Sequence, residues 1–86
     1  MTCVFTYPKQ SFALNITNNA IYYQLAVPDG SGTAGSFVWD SLEHYLVPSL
    51  TNFVSPVNEG FEGAEKFAAV RIRSATAGKP ANVTVI

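Results

Sequence analysis

The chain has 86 residues, of which 48% are hydrophobic and only 13% are charged, and its formal net charge is −1. This length predicts a single domain spanning residues 1–86. The near-neutral charge excludes a general electrostatic attraction for nucleic acid or for anionic membranes. Globular domains are typically about 25% charged, so we expect part of the surface to be apolar and to be covered by other protein chains.

The sequence shows no signal for a membrane span or for export. No apolar run approaches the roughly 18 residues that a transmembrane helix needs. No basic segment followed by an apolar core stands at the N-terminus, which predicts a protein made in the cytosol without a secretory signal. The single cysteine, Cys3, excludes a disulfide framework within the chain.

The first third of the chain has the period-two alternation of apolar and polar residues that is typical of strands. Residues 3–7 predict one strand that ends at Pro8. Residues 11–17 and 21–27 predict two more, and Asn18-Asn19 between them suits a tight turn, so this segment predicts a β-hairpin. Because the strand Phe12–Ile16 has no charged residue, we expect it to be a sheet edge that pairs with another chain.

The middle of the chain is less regular. Residues 29–36 contain three glycines and predict a loop, and residues 37–39 predict a short strand. Asp40 and Glu43 have the spacing of a capping box, which favours a short helix around residues 41–47 that ends before Pro48. If the same residues form a strand instead, Leu42, His44 and Leu46 share one face.

The last third predicts a bend over residues 55–63 and then a second hairpin. Residues 70–73 and 82–85 alternate as strands, and residues 74–80 form the loop between them. Five to seven short strands predict an all-β, mostly antiparallel fold. The expected architecture is a small β-sandwich or barrel-like domain, with one short helix around residues 41–47.

The residues that carry chemistry are too few and too scattered for an active site. A nucleophilic pair or a metal site needs several such groups held together, but Cys3 and His44 are the only cysteine and histidine. Glu59, Glu62 and Glu65 are spaced as on a helix face, but the glycines between them disfavour a helix. We therefore predict no catalytic residue, no cofactor and no metal, and a protein that is not an enzyme.

Aromatic and arginine side chains are the remaining candidates for a functional surface. Exposed aromatic residues serve protein interfaces or stack on sugar rings. Tyr22 and Tyr23 are neighbours on one strand, so they point to opposite faces and one of them faces outward. The candidate interface residues are Phe12, Leu14, Tyr22, Tyr23, Trp39, Tyr45, Arg71 and Arg73.

The C-terminal segment, residues 67–85, has a Val/Arg alternation, a turn that reads Ser74-Ala-Thr-Ala-Gly-Lys-Pro80-Ala, and a Val83-Thr-Val85 strand. This ending resembles that of small structural proteins of tailed bacteriophages. The resemblance implies a virion component, first a capsid decoration or cement protein, and alternatively a part of the tail, neck or fibre. Its partners would be other virion proteins and further copies of itself, without nucleic acid or membrane. A carbohydrate-binding β-sandwich is the alternative of a different class.

Overall fold

The computed structural model describes residues 1–33, 35–55 and 66–86, with the backbone alone for residues 49–51. The bend predicted over residues 55–63 lies almost entirely outside these ranges, and Glu59, Glu62 and Glu65 lie outside them altogether. The described residues form no helix and eight strands. The strands are β1 Thr2–Lys9, β2 Phe12–Thr17, β3 Ile21–Pro28, β4 Phe37–Trp39, β5 His44–Leu46, β6 Ser49–Val54, β7 Phe67–Ser74 and β8 Asn82–Val85.

These strands form two antiparallel sheets. Sheet A has the order β1-β7-β3, with β4 and β5 placed end to end along the free side of β3. Sheet B has the order β6-β2-β8. The alternating strands turn one apolar face inward from each sheet, and these two faces share one core. The protein is therefore all-β, mostly antiparallel and a small β-sandwich, which confirms the fold predicted from the period-two pattern.

The core draws on both sheets. The ring of Phe12 in sheet B lies 5.3 Å, centroid to centroid, from those of Phe5 and Phe67 in sheet A, and the contact with Phe67 is edge-on. Each fully buried large apolar side chain stabilises the fold by about 1.5–3 kcal/mol. The buried cluster comprises Phe12, Leu14, Ile16, Ile21, Tyr23, Leu25, Val54, Phe67, Val70 and Ile72.

Both predicted hairpins are wrong, although their strands are correct. β2 and β3 follow each other in the chain but lie in different sheets, and so do β7 and β8. Asn18 has a left-handed backbone, with φ of 74°, which asparagine tolerates in tight turns. This turn, however, carries the chain from one sheet to the other. The two connections contact each other, since the Asn19 side-chain amide donates to the Pro80 carbonyl at 3.2 Å.

The expected edge strand is also misplaced. β2 is the central strand of sheet B and is paired on both sides, with β6 and with β8. Phe12 and Leu14 point into the core, where Leu14 has no exposed surface. These two candidate interface residues are therefore unavailable to a partner. The low charge of this strand therefore reflects burial at the centre of sheet B rather than exposure at an edge.

The helix expected around residues 41–47 is wrong, and the strand alternative describes residues 44–46. β4 and β5 together form one interrupted edge strand beside β3, and Asp40 still donates its backbone N–H to the Leu25 carbonyl at 2.8 Å. The Asp40 carboxylate accepts from the Leu42 N–H at 3.1 Å. This local bond forms a turn rather than a helix cap, so residues 41–43 bulge away from the edge.

Candidate functional site

The outward face of sheet A gathers five of the eight candidate interface residues. Tyr45, Tyr22 and Arg73 are register partners across β5, β3 and β7. Gln24 and Arg71 form the next row, and Trp39 reaches this row from β4. We call the set Tyr22, Trp39, Tyr45, Arg71 and Arg73 the arginine–aromatic face. Alternation explains it, because the residues between these positions point into the core.

Arg73 is held by two partners, the Tyr22 ring and the Glu43 carboxylate. Its guanidinium carbon lies 4.5 Å from the centroid of the Tyr22 ring, which in turn lies 5.3 Å from the Tyr45 ring. Its Nε and Nη2 donate to the two carboxylate oxygens of Glu43 at 2.8 and 3.3 Å. These hydrogen bonds lower the pKa of Glu43 below its ordinary value, although partial desolvation opposes them. Arg73 is thus already paired with a carboxylate.

Arg71 is held differently. Its guanidinium carbon lies 4.3 Å from the centroid of the Trp39 ring, and its Nε donates to Gln24 Oε1 at 2.8 Å. Gln24 in turn donates its Nε2 to the Asp40 carbonyl at 2.8 Å, which fixes the orientation of its amide. Among the described residues, nothing accepts a hydrogen bond from the two terminal nitrogens of Arg71, and no carboxylate pairs with it. This arginine is oriented but unpaired.

A shallow depression of about 300 Å³ lies beside the two arginines. Tyr22, Gln24 and Glu43 line it together with Arg71 and Arg73, and the N-terminal residues 1–2 close one side. Gln24 and Glu43 are not among the interface residues predicted from the sequence. Gln24 has the same strand parity as Tyr22, so the alternation alone identifies it. Glu43 had no such signal, because only the bulge at residues 41–43 brings it to Arg73.

The remaining candidate, Tyr23, does not belong to this face. Its side chain is buried, only 4% exposed, and its ring stacks on that of His44 with centroids 4.9 Å apart. Tyr22 is therefore the outward member of the tyrosine pair, as the opposite orientation of neighbours on a strand predicts. Of the eight candidates, the structure places three in the core and five together on one surface.

Apolar side chains surround the arginine–aromatic face. Val38, Leu42, Tyr45 and Val47 lie along the edge formed by β4 and β5, and each is more than half exposed. On the opposite side of the sandwich, Phe53 is 76% exposed. A second depression, of about 470 Å³, lies between β1 and the glycine-containing loop of residues 29–36. Both edges of sheet A thus expose apolar side chains among the described residues, since Val4 and Tyr7 lie on β1 at the other edge.

The geometry brings no catalytic pair together in the part of the chain that is described. Cys3 lies on β1 and His44 on β5, and β7 and β3 separate them, which places them about 14 Å apart at the usual strand spacing. Within the same residues, no three of the His, Cys, Asp and Glu side chains come together as a metal site. Nor do they contain a helix long and apolar enough to cross a membrane.

No protein-family model, curated protein or solved structure matches this chain. The surface of the sandwich is therefore the feature of this protein that bears on its function.

Proposed function

We propose that this chain is a non-enzymatic structural protein that docks on neighbouring protein subunits through the arginine–aromatic face. The observation that carries the proposal is the assembly of one tryptophan, two tyrosines and two arginines from four strands on one outward face. Tryptophan, tyrosine and arginine are the residues that contribute most of the binding energy at protein interfaces. Tyr45 is 57% exposed, so a partner would bury substantial area there.

The packing of this face favours a protein partner over a sugar. A sugar ring stacks on an open aromatic face, but the guanidinium of Arg71 covers one face of Trp39 and that of Arg73 covers one face of Tyr22. Tyr45 keeps much of its surface exposed, so a carbohydrate-binding role depends on this one ring. We therefore rank the carbohydrate-binding module second.

The resemblance of residues 67–85 to tailed-phage structural proteins supports a virion as the place of docking. Within a particle, the proposed role is capsid decoration or cement, in which a small sandwich binds across neighbouring subunits. A tail, neck or fibre position uses the same docking face and is the alternative. The low charge and the exposed apolar edge at Val38, Leu42 and Val47 fit burial in such an assembly.

Binding to particles tests the proposal directly. Purified chain is added to particles of the encoding phage that were assembled without it, and the bound fraction is measured by sedimentation. We expect wild-type chain to bind and Tyr45→Ser to weaken binding by about tenfold or more, because a hot-spot side chain is removed. Light scattering after size-exclusion chromatography of the free chain gives its own oligomeric state.

Tyr7→Ser is the matched control. Tyr7 is 81% exposed and lies five positions along β1 from Thr2, the register partner of Arg71. This is about 16 Å of extended chain, so the same chemical change occurs away from the arginines and rings of the docking face. We expect it to bind as the wild type does. Absence of the chain from wild-type virions by mass spectrometry contradicts the virion role, and equal loss of binding in both variants contradicts the docking face. Glycan-array binding that Tyr45→Ser abolishes favours the carbohydrate-binding module.

A further inference from the structure

We infer that the partner surface presents a carboxylate to Arg71, an inference that rests on the proposed docking function and adds the chemistry of the partner. The two arginines of the arginine–aromatic face are not equivalent. Arg73 already binds both oxygens of Glu43. Arg71 binds only the neutral amide of Gln24, through Nε, and its other nitrogens have no acceptor among the described residues.

The orientation of Arg71 suits an incoming anion. Its guanidinium is held at one face by the Trp39 ring, 4.3 Å from the centroid, and at Nε by Gln24, whose amide is itself fixed by the Asp40 carbonyl. These contacts do not use the two terminal guanidinium nitrogens of Arg71. These nitrogens form the end of the planar fork and can donate to a further ligand. Arginine binds carboxylates through such a fork in two parallel hydrogen bonds.

The carboxylates of the surrounding described residues are committed elsewhere. Glu43 is bound by Arg73, and the Asp40 carboxylate accepts from the Leu42 backbone N–H. Arg71 is therefore the arginine of this face that hydrogen-bonds no carboxylate of the described residues, and the charge of Glu43 reaches it only from a distance. Charge complementarity calls for an acidic residue at the centre of the partner's docking surface, surrounded by apolar groups that meet the exposed edge at Leu42 and Tyr45.

The occupant we commit to is an acidic protein segment. The depression of about 300 Å³ beside Arg71 is large enough for one or two carboxylate side chains. The other charged groups that line it are already engaged. Arg73 binds Glu43, and the amino group of Met1 donates to the Ile72 carbonyl at 2.9 Å. A phosphate would be met by Arg71 alone, since Arg73 is paired. A carboxylate needs only one fork, so it fits the single unpaired arginine better.

The test uses acetyl-Glu-Glu-Glu-amide as a probe, titrated into the ¹⁵N-labelled full chain at an ionic strength of about 0.15 M, where the Debye length is about 8 Å. Binding is followed at the indole N–H of Trp39, which is the only tryptophan, and at Arg71 Nε–H. We expect saturable shifts, and affinity about fivefold weaker for the matching glutamine tripeptide and for Arg71→Gln. Arg71→Lys keeps the charge without the fork and is expected to lose about two- to threefold.

Lys66→Gln is the control for net charge. Lys66 is exposed and precedes Arg71 by five positions, about 16 Å along an extended chain, so screening leaves less than about a twofold effect. Equal affinity for the two tripeptides, or unchanged affinity in Arg71→Gln, overturns the inference. Tighter binding of a glucuronate trisaccharide than of the glutamate peptide overturns the protein segment as the occupant.

The particle assay separates this inference from the docking function. If Tyr45→Ser and Arg71→Gln, tested as separate variants, both lose particle binding, the docking function and the carboxylate partner are both supported. Loss in Tyr45→Ser with full binding by Arg71→Gln overturns the carboxylate and leaves docking in place. Full binding by both variants removes the docking function itself.

Discussion

Truncation of Leu14 tests which face of sheet B is buried. Leu14 has no exposed surface and lies in the core cluster, so Leu14→Ala removes the equivalent of three buried methylene groups, about 2.4 kcal/mol of transfer free energy. A residual cavity of roughly 60 Å³ adds about 1.5 kcal/mol. We therefore expect the free energy of unfolding to fall by about 3–4 kcal/mol, and the melting temperature by about 15–20 °C.

Urea unfolding followed by the fluorescence of Trp39 measures this loss. The stability of an 86-residue domain is about 4–13 kcal/mol, so the variant remains measurable if the wild type is not at the lower limit. Phe53→Ala is the control, because Phe53 is 76% exposed on the neighbouring strand and pairs with Ala13. Its truncation is expected to cost less than about 1 kcal/mol. A larger loss for Phe53→Ala than for Leu14→Ala would show that the buried and exposed faces of sheet B are reversed.

Three further predictions concern the connections and the charges. Asn18 has a φ of 74°, so Asn18→Val should destabilise the fold by about 1–2 kcal/mol whereas Asn18→Gly is tolerated, as thermal unfolding will show. Hydrogen bonds from Ser31 and Ser36 lower the pKa of Asp29 from 3.8 to about 2. Its contribution to stability is therefore fully present above pH 3.8 and lost as the pH falls toward 2, and Asp29→Asn should remove this part of the acid dependence of urea unfolding. Arg73 lowers the pKa of Glu43, so Arg73→Gln should return the NMR titration midpoint of Glu43 toward its ordinary value, and an unchanged midpoint would contradict the ion pair.

The arginine–aromatic face was only partly accessible from the sequence. Strand alternation places Tyr22 and Gln24 on one side of β3, and Arg71 and Arg73 on one side of β7. The sequence carries no information that these two strands are neighbours, because their register partners are 43 or more positions apart and the contact depends on long-range backbone pairing. Glu43 reaches Arg73 only because the edge strand is interrupted between β4 and β5.

The sequence by itself determined the all-β class, most of the strands and which residues share a face of a strand, but for β2 it did not determine that the face of Phe12 and Leu14 is buried. Apolar side chains at every second position must leave water together, whatever the strand pairs with. Tertiary structure alone decided that β2 and β3, like β7 and β8, are in different sheets. Two strands bury the same alternating residues whether they pair side by side in one sheet or face each other across a core. Only the hydrogen bonds to distant strands, β6 and β8 for β2 and β7 for β3, distinguish the two arrangements.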